Sequence, residues 1–164
     1  AGDILSQRAI PIGEKDNCGM MFEKLSYLGR DLLLETIDKL IEGQIVPIKQ
    51  DVSKVTFAYN VTKEEERLDF TKTAQEVYNH IRAYYPSPIA YTIFNGEILK
   101  IYESRVLDDT HNKEIGTFFL KDKTRICVAC NNHTVLELLV VQPSGKKVMK
   151  AKDFANGGFR KYLK

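Results

Sequence analysis

The sequence has no tryptophan, only three cysteines and no long hydrophobic run. A membrane-spanning helix requires about 20 consecutive apolar residues, so we expect no membrane protein. Cys18, Cys127 and Cys130 are too few for a secreted disulfide scaffold and fit a reducing compartment. The chain also begins without Met and without the basic and apolar regions of a signal peptide. We therefore expect a folded, cytoplasmic piece of a protein, large enough at 164 residues for a hydrophobic core.

The chain has a small net charge, but its basic and acidic residues are unevenly distributed along the sequence. The total is +2, yet residues 1–98 contain 11 basic and 15 acidic residues, and residues 99–164 contain 13 basic and 7 acidic residues. The two parts thus carry −4 and +6. A basic part of this kind favours contact with a polyanion, most often a nucleic acid. The alternative is an ordinary solvated surface with a few extra lysines.

The first part of the chain predicts one strand and one long helix. Residues 4–12 form a short apolar segment of strand type, closed by Pro11 and Gly13. Asp16 or Asn17 then caps a helix whose apolar residues recur with the helical period up to a stop at Gly43. Such a one-sided apolar stripe needs a partner, and this part of the chain offers little to cover it.

The second part predicts a helix followed by strands. Thr73 and Glu76 have the spacing of a capping box, so a helix begins there and ends before Pro86. Asn95-Gly96 is the turn of a hairpin. We expect further strands at residues 116–120, 124–129 and 135–141, and a last helix at residues 151–162 that Gly157-Gly158 stops. Five short strands suggest a closed or partly closed barrel, with the oligonucleotide-binding (OB) fold as one candidate.

Chemistry-bearing residues predict neither a metal site nor a catalytic centre. Cys127, Cys130 and His133 resemble half of a zinc site. Residues three apart in a strand face opposite sides, however, and no second ligand pair lies nearby, so we interpret the cysteines as small buried residues. The histidines are scattered and form no Ser-His-Asp arrangement. No glycine-rich loop joins a strand to a helix as in a phosphate-binding site.

Basic side chains are the strongest functional signal. They form three groups in the second part of the chain, and a barrel that brought them together would present a stripe to RNA phosphates. The first group is Lys121, Lys123 and Arg125; the second is Lys146, Lys147, Lys150 and Lys152; the third is Arg160, Lys161 and Lys164.

Several stretches, taken in order, resemble the motifs of one enzyme family. They are residues 1–5 (AGDIL), 21–36 (with MFEKL, LG and LLLET), 63–70 (KEEERLDF), 81–88 (IRAYYPSP), 142–149 (QPSGKKVM) and 152–157 (KDFANG). Their order and spacing resemble the methionyl-tRNA formyltransferase family over essentially the whole chain. Phe70 and Ser87 stand where that family usually has tryptophan, and Asn60 where it commonly has lysine.

This resemblance implies an α+β architecture in three parts. Residues 1–45 would be the remnant strand and helix of a Rossmann-like formyltransferase domain, and residues 46–70 a linker. Residues 71–164 would form a helix and an OB-like Greek-key β-barrel that binds tRNA.

The same resemblance implies the activity of the parent protein. That enzyme transfers a formyl group from 10-formyltetrahydrofolate to the amino group of methionine on initiator tRNA, and we expect it to be a cytoplasmic monomer without a metal. The family's catalytic Asn and His lie outside this chain, and its catalytic Asp would directly precede Ala1. Asp3 is the second Asp of that motif and takes no catalytic role. We therefore expect no catalytic residue in this chain, no activity from it alone and no bound folate.

Two alternatives remain open at this level. UDP-sugar formyltransferases share the motif at residues 82–86 and the same catalytic residues, although a nucleotide-sugar enzyme has no need of a polyanion-binding stripe. A stand-alone RNA-binding barrel without an enzyme parent would also account for the basic second part.

Overall fold

The computed structural model describes residues 2–159, which separate into two compact units. The first unit contains residues 1–60 and the second residues 61–164. No helix among the described residues is both long enough and apolar enough to cross a bilayer.

The first unit is built on one long helix, α1 (Cys18–Ile41). Asn17 caps its N-terminus by accepting a hydrogen bond from the Met20 backbone N–H, as the sequence predicts. Gly43 follows in the left-handed conformation, with φ of 68°. A short 3₁₀ helix (Val52–Lys54) lies near the end of this unit.

The apolar side of α1 remains largely uncovered within its own unit. Phe22 is 69% exposed and Ile41 80% exposed, and Leu25, Leu33 and Leu40 are each at least half exposed. Within the helix only Thr36 is buried. Large apolar side chains at helical spacing normally face a packed core, so this side has the character of an interface.

The second unit begins with α2 (Ala74–Ala83), which has a complete capping box. The Thr73 side chain accepts from the Glu76 backbone N–H, and Glu76 Oε2 accepts from the Thr73 backbone N–H at 2.8 Å. Ala74, Val77 and Ile81 lie on the buried side of this helix.

Six strands form one antiparallel sheet in this unit. They are β1 (Tyr91–Phe94), β2 (Glu97–Thr110), β3 (Phe118–Lys121), β4 (Arg125–Ala129), β5 (Thr134–Pro143) and β6 (Met149–Lys150). Their order is β1-β2-β5-β4-β3, with β6 paired to β5. The predicted hairpin is present, because Asn95 and Gly96 both adopt positive φ between β1 and β2.

The core of the unit lies between this sheet and its helices. Fully buried apolar side chains come from every layer: Val77, Ile81, Leu99, Ile101, Ile126, Val128, Leu136, Leu138, Val141 and Phe159. The Phe94 ring stacks on the Phe159 ring with centroids 4.9 Å apart. The end of the described chain is thereby packed against the first hairpin.

Three expectations from the sequence require correction or a narrower statement. Residues 4–12 form no strand; the segment makes a single antiparallel bridge between Ile4 and Ile48. Gly157 and Gly158 do not stop the last helix, because α3 (Ala151–Phe154) continues as one π-helical segment through Ala155–Phe159. The mixed helix-and-sheet class is confirmed, but β3 does not pair with β1 among residues 2–159, so the sheet is not a closed barrel there.

Candidate nucleic-acid interface

The turn between β5 and β6 presents a cluster of lysines. Ser144 and Gly145 form this turn, Gly145 with φ of 67°, and the Lys146 backbone N–H donates to the Pro143 carbonyl at 3.0 Å. Gln142 Nε2 braces the turn by donating to the Lys146 carbonyl at 3.0 Å. We call the four lysines here the turn cluster: Lys146, Lys147, Lys150 and Lys152.

All four lysines of the turn cluster are exposed. Within residues 2–159, none of them makes an ion pair with a carboxylate. Their charge is therefore not compensated locally by an ion pair. Such a cluster is compensated by ions from solvent or by a bound polyanion.

The first predicted basic group differs from the turn cluster, because two of its members form ion pairs with carboxylates. Lys121 and Arg125 lie opposite each other in the β3–β4 hairpin and share one face of the sheet. Lys121 pairs with Asp109, and Arg125 pairs with Glu137 and Asp122. Lys123 lies in the connecting turn with φ of 65°. The charges of Lys121 and Arg125 are thus compensated within the chain by ion pairs, unlike those of the turn cluster.

Glu137 is the centre of an ion-pair network that the sequence did not reveal. Arg125 donates to both of its oxygens, from Nε to Oε1 at 2.8 Å and from Nη2 to Oε2 at 2.7 Å, and Arg105 Nε donates to Oε2 at 2.6 Å. Burial opposes ionisation of Glu137, but these hydrogen bonds outweigh it and hold its pKa below the ordinary value. Glu137 and its arginine partners are up to 32 positions apart in the chain, so the sheet register has to be known to find this network.

Strand pairing brings the two basic groups to the same edge of β5. One edge of β5 pairs with β2 along its length, so β4 and β6 must share the other edge. There β4 pairs with Val135–Glu137, and β6 pairs with Val140 and Val141. The start of β4, where Arg125 lies, and the end of β6, where Lys150 lies, therefore approach each other along this edge.

A pocket of about 520 Å³ adjoins the turn cluster. Three segments form it: the β1–β2 hairpin, the β5–β6 turn and the last helical segment. Phe94, Met149 and Phe154 contribute apolar walls, and Lys146 lies at its border. The sequence did not reveal this pocket, because its walls come from three distant stretches.

The cysteines and histidines form no metal centre. Cys127 and Cys130 are buried, and burial raises their pKa to about 11 and about 12, so both remain protonated thiols at neutral pH. Among residues 2–159 no group of three potential metal ligands occurs. Two predicted RNA contacts, Arg160 and Lys161, and the neighbouring Lys164 lie outside the described residues.

Residues 60–158 match a family model described as "Formyl transferase, C-terminal domain". The chain belongs to this family. It is also 46% identical over 162 residues to a methionyl-tRNA formyltransferase of Lactococcus lactis subsp. cremoris, an alignment that covers 96% of this chain and 50% of that protein. With the methionyl-tRNA formyltransferase of Lactobacillus acidophilus the identity is 47%, over 99% of this chain and 52% of that protein.

The chain thus spans about half the length of the curated relatives it matches. Two solved structures share its fold. An N-formyltransferase of Helicobacter canadensis, in complex with folinic acid and dTDP-3-aminofucose, matches with a TM-score of 0.60 and 22% identity over 87% of this chain and 50% of that one. HypX of Aquifex aeolicus matches with a TM-score of 0.68 and 15% identity over 98% of this chain and 29% of that one.

Proposed function

We propose that this chain is the C-terminal portion of a methionyl-tRNA formyltransferase and supplies a tRNA-binding surface. The parent enzyme transfers a formyl group from 10-formyltetrahydrofolate to the amino group of methionine on initiator tRNA, as a cytoplasmic monomer. Relatives of that name that are 46–47% identical support this function. The observation that carries the binding role is the turn cluster: four exposed lysines in one turn and the adjoining elements, without ion pairs in the described chain.

We propose that three parts of the chain have different roles in the parent enzyme. Residues 1–45 are proposed to end a Rossmann-like catalytic domain, residues 46–70 to form a linker, and residues 71–164 to form the tRNA-binding domain. The exposed apolar side of α1 supports the first assignment, because Phe22, Leu33 and Ile41 require a partner that residues 2–60 do not supply.

We propose that the sheet of the second unit corresponds to a partly closed OB-like Greek-key barrel, open between β1 and β3 among residues 2–159. Its long strand β2 continues through three register shifts against β5. Such irregularities bend a strand and increase its twist, which is how small barrels turn their corners.

The chemistry of transfer is assigned to groups that this chain does not contain. In acyl transfer a neutral amine attacks the formyl carbon, and a charged imidazole stabilises the oxyanion that develops. We assign that imidazole, its carboxylate partner and the folate site to the other half of the enzyme. This chain's own residues hold the tRNA, with the turn cluster and Lys121, Lys123, Arg125, Arg160 and Lys161 as candidate contacts.

A salt titration of tRNA binding tests this role. The 164-residue chain is titrated with initiator tRNA at several salt concentrations, and the logarithm of the association constant is plotted against the logarithm of salt concentration. We expect a steep negative slope, because each phosphate contact releases counterions. Replacing both Lys146 and Lys147 by alanine should reduce the slope by about two if each contacts a phosphate.

A matched double variant provides the control. Lys72 lies close to the carboxylates of Asp69 and Glu76, and the Lys113 ammonium lies 5.1 Å from the centre of the Phe119 ring. Lys72→Ala with Lys113→Ala removes the same charge and should leave the slope nearly unchanged. A flat slope for the unmodified chain would refute the binding role, and binding of a nucleotide sugar in place of tRNA would favour the sugar-formyltransferase alternative.

A further inference from the structure

The pocket beside the turn cluster has the features of a nucleobase site. Its volume of about 520 Å³ lies within the range of small-molecule pockets, about 300–1,000 Å³. The rings of Phe94 and Phe154 line it with centroids 6.2 Å apart and planes at 76°, and both side chains are half-buried. A partly exposed aromatic side chain such as Phe154 in a pocket offers an unstacked base a surface on which to stack.

Two glycines of the last helical segment, Gly157 and Gly158, line this pocket. A Cβ atom at Gly158 would lie 3.2 Å from Cε2 of Phe154, so the helix backbone there rests against the ring. A Cβ atom at Gly157 would meet no atom within 4 Å. A side chain at Gly157, which lines the pocket, would therefore enter open space.

Charges around the pocket match a nucleotide rather than an apolar ligand. The turn cluster contributes four positive charges, and Lys146 itself lines the pocket. Glu97 and Asp153 line it as well and contribute two carboxylates. The surroundings thus remain net positive, which suits phosphates outside the pocket. The carboxylates accept hydrogen bonds only, which suits a base that presents N–H donors.

We propose that this pocket receives one unpaired guanine base of the bound RNA, an inference that rests on the proposed RNA-binding function. Guanine carries two adjacent N–H donors, on N1 and on the exocyclic N2, and these match the two oxygens of one carboxylate. Adenine and cytosine offer only an amino group on that edge, and uracil offers one ring N–H. The base stacks on the Phe154 ring, and the Phe94 ring, at 76° to it, forms the adjoining wall. Asp153 accepts from the donors of the base, and Lys146 contacts the adjoining phosphate.

Short single-stranded RNAs test the pocket with the 164-residue chain. Three trinucleotides compete with labelled initiator tRNA: UGU, UAU and the same trinucleotide with an abasic central position. We expect UGU to bind at least about fivefold more tightly than the abasic RNA, which corresponds to the lower end of measured base–aromatic stacking effects. UAU should be intermediate, because adenine stacks but lacks the paired donors. Equal affinity for all three would overturn the proposal.

Two variants with matched controls locate the effect in the pocket. Gly157→Leu fills the pocket wall and should remove the difference between UGU and the abasic RNA. Gly29→Leu adds the same side chain to open space in the middle of α1 and should preserve it. Asp153→Asn should reduce the preference for UGU over UAU, whereas Asp108→Asn, in β2 outside the pocket lining, should not.

NMR on the unmodified chain tests base binding in the pocket even if a variant fails to fold. With UGU, the backbone amide NMR signals of Gly157 and Gly158 should shift more than with the abasic RNA. A chain that binds tRNA with a steep salt dependence but shows no base preference would refute the pocket alone. A chain that binds neither tRNA nor trinucleotides would refute the proposed function itself.

Discussion

Arg125 binds Glu137 through both carboxylate oxygens, at 2.8 and 2.7 Å, and so joins the start of β4 to the middle of β5. The Glu137 side chain is only 5% exposed, whereas that of its second partner, Arg105, is 55% exposed. Two parallel hydrogen bonds from a guanidinium are a strong and geometrically specific contact. This ion pair therefore has a structural role in the sheet.

We expect the two arginines to differ in their effect on stability. Arg125→Met leaves a buried carboxylate with one partner and should lower the free energy of unfolding by about 1–3 kcal/mol. Arg105→Met removes one hydrogen bond, made by a solvent-exposed side chain, and should lower the free energy of unfolding by less. Urea unfolding of both variants measures the difference. A larger loss for Arg105→Met would contradict the assigned geometry.

The same network predicts acid sensitivity. The hydrogen bonds from Arg125 and Arg105 hold the pKa of Glu137 below its ordinary value, despite burial. Its stabilisation is thus present above the unfolded-state pKa of about 4.3 and is lost as pH falls through the lower folded-state value. Glu137→Gln should unfold with less dependence on pH in this acidic range than the unmodified chain. Identical pH dependence of the two would refute the role of the carboxylate.

The capping box of α2 predicts a stability effect of moderate size. Thr73→Ala removes the acceptor for the Glu76 backbone N–H and should lower the free energy of unfolding by about 1 kcal/mol. Thermal or urea unfolding measures this loss. Thr110→Ala, at an exposed position at the end of β2, makes the same change without a cap and is the control. Equal effects of the two substitutions would argue against the cap.

His80 predicts a second pH dependence, nearer to neutral pH. Burial lowers its pKa, although a hydrogen bond with the Glu65 backbone opposes this, and its Nε2 has no hydrogen-bond partner among the described residues. Protonation below the unfolded-state pKa of about 6.5 therefore favours the unfolded chain, so stability falls as pH falls through this range.

The variant His80→Phe tests this prediction. It keeps a ring against Tyr84, which now stacks on His80 with centroids 4.6 Å apart. Melting temperatures measured at pH 7.5 and 5.5 should differ less in this variant than in the unmodified chain. A difference of the same size in both proteins would show that other groups cause the pH dependence.

Ion pairing predicts an order among the candidate tRNA contacts. Lys147→Ala should weaken tRNA binding more than Lys121→Ala, because Lys121 already pairs with Asp109. Measured at one low salt concentration, removal of each phosphate-binding lysine should weaken the affinity several-fold. A larger effect at Lys121 would place the RNA on the β3–β4 hairpin instead of the β5–β6 turn.

Catalysis provides a separate test of the proposed division of labour. Incubated with 10-formyltetrahydrofolate and methionyl-initiator tRNA, the 164-residue chain should form no formylmethionyl-tRNA, because we assign the catalytic groups to the other half of the enzyme. Gel separation of the tRNA products detects the reaction, and the full-length Lactobacillus acidophilus relative is the positive control. Formyl transfer by this chain alone would contradict the assignment.

Local sequence signals predicted the local structure well. The cap at Asn17, the capping box at Thr73 and the turn at Asn95 each depend on a few neighbouring residues, and all are present. Predictions that needed distant contacts were less successful. Residues 4–12 have the composition of a strand, but in the described chain only Ile4 is bridged, to Ile48. A strand needs a neighbour to pair with, and composition does not show whether one exists.

The last helix and the candidate site also depend on distant contacts that the sequence does not reveal. Glycine disfavours a helix intrinsically, yet burial of Phe159 among Phe94, Phe118 and Phe154 keeps the helical segment intact past Gly157 and Gly158. Basic residues were visible in the sequence, but their acidic partners Asp109 and Glu137 were not, because each lies at least 12 positions away. Only strand register distinguishes the paired from the unpaired cations.

The two-residue strand β6 has a consequence for the motions of this domain. Met149 and Lys150 alone pair with Val141 and Val140 on one edge of β5, and lysines flank them on both sides. Opening of this short strand would release the edge locally while the rest of β5 stays paired, so amide hydrogens there should exchange early. A polyanion bound to the flanking lysines would hold the strand closed, and tRNA should therefore slow hydrogen exchange at Val140 and Lys150 more than in β4.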